Sequence, residues 1–133
     1  MPSFYFRKLV RDKVLQRCLD DPKVHTTYRT LDLAEYKKEL LAKVHEETDE
    51  IPVLDEKDDE VLSEIADVQA VVDALIASYG YTKDEVLAAQ IKKQEKNGAF
   101  DDRAYIEKVD LKDDSEWIEY FRNAPDKYGE IHG

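Results

Sequence analysis

Two short acidic motifs, Glu46-Glu47-Thr48-Asp49-Glu50 and Glu64-Ile65-Ala66-Asp67, flank a turn that lies almost midway between them. No other feature constrains the chain as much. Side chains at i and i+3 project from one side of a helix, so each motif can present a pair of carboxylates. Two facing pairs make a four-carboxylate site suited to a hard divalent cation: Mg²⁺ first, with Mn²⁺ as a substitute.

The distribution of charge supports this more than its total. Eleven Asp and Glu lie between His45 and Asp67 against Lys57 alone, which places −10 of the formal −11 in that stretch. From Met1 to Arg17 the balance reverses, with Arg7, Lys8, Arg11, Lys13 and Arg17 against Asp12, a net +4. That polarity suits a metal-bound polyphosphate. It does not suit a nucleic-acid duplex, which needs a broad basic face.

At 133 residues the chain is expected to be a single domain, and Gly and Pro, four of each, are too sparse for a disordered or collagen-like polymer. Cys18 has no partner for a disulfide within the chain and reads as a packed small side chain. With no charged-then-apolar leader, the expected setting is cytoplasmic. The most apolar stretch, Ile65 to Ala77, is too short to span a bilayer and is interrupted by Asp67, Gln69 and Asp73. No membrane partner is expected.

Helical punctuation is legible along most of the chain. A basic helical pattern with an apolar start covers Phe4 to Leu19 and ends at Asp20-Asp21-Pro22, and a loop or short extended piece follows through Val24 to Thr30. Asp32 with Glu35 forms an N-cap arrangement, and Leu33, Tyr36, Leu40, Val44 and Ile51 recur at helical spacing up to Pro52. A second acidic-motif helix is predicted from about Asp58 to Tyr79 with Gly80 as its left-handed cap. Thr82 and Glu85 open another, which ends at Asn97-Gly98. Beyond Ala99 the pattern predicts a short extended segment through Tyr105, Ile106 and Val109, then a last helical turn around Trp117 to Phe121. The aromatics there suit a core or a subunit contact.

The helical phase sharpens the metal argument. At about 100° per residue, Glu47 falls within about 30° of the stripe through Leu33, Leu40, Val44 and Ile51, so it points inward. Glu50 lies at the edge of that stripe and Glu46 farther out, while Asp67 sits in a segment apolar almost all round. Two carboxylates about 5 Å apart repel by roughly 3 kcal/mol at an effective dielectric of about 20, and four carboxylates form six such pairs. Such a cluster requires protonation, cationic side chains or a metal. His45 points away on the helical wheel and Lys43 reaches only one edge, which favours a metal. Most acidic helical runs are solvated faces, and Glu56 to Glu60 reads as one. The run from Asp55 lacks the mid-loop glycine and terminal glutamate of an EF-hand, and the absence of Glu-x-x-His motifs excludes a di-iron bundle.

Four motifs in order carry a family resemblance: Lys8-Leu9-Val10-Arg11-Asp12-Lys13, EExxE at Glu46 to Glu50, ExxD at Glu64 to Asp67 after thirteen intervening residues, and Lys93-Gln94-Glu95-Lys96-Asn97-Gly98-Ala99-Phe100. The acidic pair resembles the signature of the MazG-like all-α nucleoside triphosphate pyrophosphohydrolases, and the two outer motifs resemble its phosphoribosyl-ATP pyrophosphohydrolase-like branch. The resemblance covers most of Phe4 to Leu111, a family core over 1–111 with a tail over 112–133. It implies an all-α helical bundle whose core is completed by oligomerisation as a homodimer or homotetramer. Mg²⁺ would be held by Glu47, Glu50, Glu64 and Asp67, with Glu46 placed to activate water.

The implied reaction is hydrolysis of a nucleoside triphosphate to the monophosphate and pyrophosphate by water attacking the α-phosphorus. Lys8, Arg11 and Lys13 at one end, and Lys93 and Lys96 at the other, would grip the outer phosphates. Lys93 and Lys96 equally suit the last turns of a helix, where cations are favoured anyway, and Arg11 equally suits an ion pair with Asp12. Asp73 is a candidate for supporting the ligands or contacting the sugar, or for a buried hydrogen bond. The expected role is nucleotide-pool house-cleaning on unusual or ordinary nucleoside triphosphates, and no residue identifies the base.

Two other classes remain. A non-catalytic metal- and nucleotide-binding helical module would keep the carboxylates but release no pyrophosphate. An interaction module with an acidic face would bind a basic partner in a salt-sensitive way without need of Mg²⁺. The apolar breadth from Val61 to Tyr79, with Val68, Val71, Val72, Leu75 and Ile76, predicts that this helix is covered on more than one side, and hence self-association.

Overall fold

Side-chain caps open the helices that begin at Leu33, Asp59 and Lys83, and a glycine closes the second of them. The structure is a computed structural model and describes residues 1–132. It contains five helices, α1 (Asp12–Asp20), α2 (Leu33–Asp49), α3 (Asp59–Ser78), α4 (Lys83–Asn97) and α5 (Trp117–Arg122), and no strand among the described residues. The chain is all-α.

The caps at Asp32 and Thr82 are those the sequence announces, and Asp58 supplies a third. Asp32 accepts the Glu35 amide at 2.9 Å, Asp58 the Glu60 amide at 2.8 Å, and Thr82 the Glu85 amide at 3.1 Å. Arg29 reinforces the start of α2 by gripping both oxygens of Glu35 at 3.3 and 2.7 Å. At the end of α3, Gly80 has φ +78°. Its amide reaches Ala77 O at 2.9 Å and that of Tyr81 reaches Ile76 O at 3.2 Å, the paired bonds of a Schellman ending.

The N-terminal pattern departs from expectation. Helix α1 begins only at Asp12, after an extended Arg11 cap, and Phe4 to Val10 form no regular element. A helical path would have kept Lys8 and Arg11 on one face of α1. The irregular path instead takes both to acids on α2 and α3. The segment through Tyr105, Ile106 and Val109 is irregular as well, because no neighbouring strand is available to take its backbone hydrogen bonds.

The described residues form two compact units, Met1–Lys96 and the residues from Asn97 onward. In the first, α2 and α3 are the only helices packed along each other among the described residues. Leu40, 4% exposed, is the only apolar residue fully buried there, and Tyr36, Val44, Ile51, Val68, Val71, Val72, Leu75 and Ile76 are half-buried. Leu33 is exposed: Lys37, one turn further in, already lies over the Tyr79 ring at 4.2 Å, so Leu33 projects past the end of α3. Helix α4 is tied to α3 by Lys83, whose Nζ lies 3.2 Å from Asp73. No described helix is long and apolar enough to cross a membrane.

In the second unit, α5 organises an aromatic cluster. Trp117 meets Tyr120 edge-on at 5.3 Å and Phe121 packs against Tyr128 at 4.7 Å. Arg122 forks onto Glu130 at 2.6 and 3.2 Å and holds that carboxyl below its ordinary range. The expected helical turn around Trp117 is therefore present, and it serves a local apolar cluster.

Gly80 provides the test of these endings. Nothing lies within 4 Å of where its Cβ would be, so Gly80→Ala meets no clash and only the left-handed backbone opposes it. The substitution is expected to cost about 1 kcal/mol in chemical denaturation. Gly129→Ala, also in open space and without a positive φ, should change little.

Candidate metal centre

The α2–α3 hairpin carries the two acidic motifs on facing helical turns. Glu47 lies on the inner face of α2, 9% exposed, and with Leu40 is one of the two buried residues among those described. The inward phase read from its spacing is the phase found. Glu64 and Asp67 lie one turn apart on α3, both half-buried. One oxygen each from Glu47, Glu64 and Asp67 fall within 4.8 Å of one another. That set spans both motifs.

Electrostatics make the trio costly unless something positive enters it. Glu64 Oε2 is buried and has no hydrogen-bond partner. A buried acceptor left unpaired costs on the order of 1–3 kcal/mol, and more if charged. The chemistry of the donor set, three carboxylates converging with one orphaned oxygen, fits a hard oxygen-seeking cation such as Mg²⁺ or Mn²⁺.

Glu50 stands apart from this trio. It is the C-cap of α2, and that position leaves it exposed. Its carboxyl is nonetheless pushed above the ordinary range, first by the charge of Glu47, then by partial burial and by Glu64. The fourth acid is thus within the field of the cluster without being part of its tightest set.

Three cations reach the acids. Lys43 Nζ lies 3.3 Å from Glu47 and 3.5 Å from Glu46, Lys8 donates to Glu46 at 3.1 Å, and Arg11 donates to Asp67 at 2.8 Å. The hydrogen bond from Lys8, aided by the charge of Lys43, holds the Glu46 carboxyl below its ordinary range. Lys43 does more than its place on the helical wheel suggested, spanning two acids where one edge was expected. Its i+3 and i+4 spacing to Glu46 and Glu47 is the signal that finds it. Among the described residues no cation pairs with Glu64, so the cluster is only partly neutralised from within.

Of the other basic candidates, Lys13, Lys93 and Lys96 are exposed and make no ion pair among the described residues. Lys93 and Lys96 lie on α4, which packs along no other helix among the described residues. Asp73, six residues beyond Asp67, accepts from Gln69 at 2.9 Å and pairs with Lys83. The Gln69 bond, then Lys83, hold its carboxyl below the ordinary range. It anchors α4.

In comparisons with known proteins, no family model, no curated protein and no solved structure matches the chain.

The centre predicts opposite effects of one substitution with and without metal. Glu64→Gln removes a charge from the cluster and should stabilise the metal-free protein by about 1 kcal/mol or more. The same change should abolish the rise in Tm that Mg²⁺ produces in the wild type. Calorimetric melts with Mg²⁺ and with chelator read both signs.

Proposed function

We propose that this protein is a Mg²⁺-dependent nucleoside triphosphate pyrophosphohydrolase, converting its substrate to the monophosphate and pyrophosphate in nucleotide-pool house-cleaning. The observation that carries the proposal is the buried, unpartnered oxygen of Glu64 inside a convergent set drawn from both EExxE and ExxD. Support comes also from the ordered motifs at Lys8–Lys13, Glu46–Glu50, Glu64–Asp67 and Lys93–Phe100, which resemble the MazG-like enzymes.

Glu47, Glu64 and Asp67 would hold the ion, with Glu50 at the margin. Bound Mg²⁺ would supply charge neutralisation and orientation for the phosphates. Glu46 would accept a proton from the attacking water, whose oxygen bonds to the α-phosphorus as the bridge to the β-phosphate breaks and pyrophosphate leaves. Its side chain is 29% exposed, so water reaches it. Lys8, Arg11, Lys13, Lys93 and Lys96 would bind phosphate oxygens.

One observation favours the non-catalytic alternative, a metal- and nucleotide-binding module. Lys8 and Lys43, which hold the Glu46 carboxyl below its ordinary range, make it a weaker base. The two functions separate in an assay of pyrophosphate release across ordinary and modified nucleoside triphosphates. The enzyme predicts release with Mg²⁺, none with chelator, and a loss of about 100-fold or more in Glu47→Gln. Mg²⁺ binding with silence across the whole panel would assign the module instead.

Oligomerisation, as a homodimer or homotetramer, belongs to the same proposal. One fully buried apolar side chain contributes about 1.5–3 kcal/mol, too little to order a helical unit of this size alone. Leu62, 67% exposed, and Ile65, 50% exposed, lie on α3 beside the half-buried valines and would be covered by a second copy. Sedimentation at micromolar concentration should show a species of at least twice the 15.5 kDa chain mass; only monomer would overturn this part.

A further inference from the structure

Lys8 and Arg11 approach the centre from outside any helix. Among the described residues, Phe4 to Val10 make no backbone hydrogen bond, and Leu9 is the only half-buried residue in the segment. Arg7 has φ +50°, a left-handed conformation that non-glycine residues adopt only where their surroundings hold it. The segment is therefore fixed largely through side chains, and two of those fixings are the ion pairs to Glu46 and Asp67.

Those two pairs differ in what a metal would do to them. Glu46 lies outside the convergent set, so Lys8 can stay on it when an ion binds. Asp67 lies inside the set, and Arg11 Nη2 sits 2.8 Å from one of its oxygens. The Arg11 side chain is 65% exposed and that of Asp67 38%, and pairs so open to water are weak. A divalent ion carries twice the charge of a guanidinium, and an ion seated on the same carboxylate repels the guanidinium beside it. The guanidinium, in turn, suits phosphate as well as it suits carboxylate.

We propose that Arg11 is an exchangeable counter-ion of Asp67: Mg²⁺ displaces it from the carboxylate, and the freed guanidinium becomes a grip for a phosphate group arriving at the same ion. The inference rests on the metal-binding function proposed above and deepens it by setting an order, cation first and phosphate second. Arg11 then acts as a positioning residue whose availability is governed by occupancy of the centre. The Lys8 pair keeps the segment close while Arg11 changes partner.

The test uses the full chain without nucleotide. Mg²⁺ is titrated while the Arg11 guanidinium Nε–H resonance is followed by NMR, and Mg²⁺ affinity is measured by calorimetry for wild type, Arg11→Ala and Arg17→Ala. Arg17 is the charge control, since it donates to the backbone of Lys13 at 3.3 Å and pairs with no acid. The expected results are a shifted Arg11 resonance and Mg²⁺ binding about two- to five-fold tighter in Arg11→Ala than in Arg17→Ala. Inorganic pyrophosphate, added after Mg²⁺, should bind more weakly to Arg11→Ala than to Arg17→Ala. If Mg²⁺ binds but the resonance stays still, or the two alanine variants bind it equally, the exchange is overturned while the metal centre stands. If Mg²⁺ binds to none of the three proteins, the metal-binding function itself fails, and the exchange with it.

Discussion

The burial of one carboxylate governs the arrangement of the first unit. Glu47 occupies an inner position of α2, level with ExxD on α3, where an apolar residue would otherwise close the hairpin. Ionised groups in such places need compensation. Lys43 supplies part of it from within α2, and Arg11 relieves Asp67 from across the chain. Among the described residues no cation pairs with Glu64, whose buried oxygen has no partner, and the three carboxylates could hold a metal ion.

That constraint also explains the N-terminal segment. Its basic residues continue a helical pattern in sequence, but the deficit of positive charge between α2 and α3 draws Lys8 and Arg11 to the acids. The backbone leaves helical geometry to deliver them, with Arg7 in the left-handed region. The same field sets the carboxyls apart: Glu46, beside two lysines, is held below the ordinary range, whereas Glu50, beside Glu47, is held above it.

Apolar packing contributes less than the length of the helices would suggest. The hairpin is closed mainly by side chains that remain half in solvent, and α4 is attached through Lys83 and Asp73. The aromatic cluster around α5, locked by Arg122 and Glu130, is a separate local solution to the same shortage of buried area.

The sequence by itself determined the elements whose signals are local. Asp32, Asp58 and Thr82 cap α2, α3 and α4 because a short oxygen-bearing side chain satisfies the free amides beside it, and Gly80 ends α3 because it tolerates a positive φ. The inward phase of Glu47 was likewise legible, since helical periodicity needs no partner to be read. Only the tertiary structure decided that Glu47, Glu64 and Asp67 converge while Glu50 stays at the rim. It alone placed Lys8 on Glu46 and Arg11 on Asp67, and left α4 with Lys93 and Lys96 packed along no other helix among the described residues. The reason is physical: those outcomes depend on distances between groups tens of residues apart, set by how two helices pack and where charge is left uncompensated, and no local pattern encodes such distances.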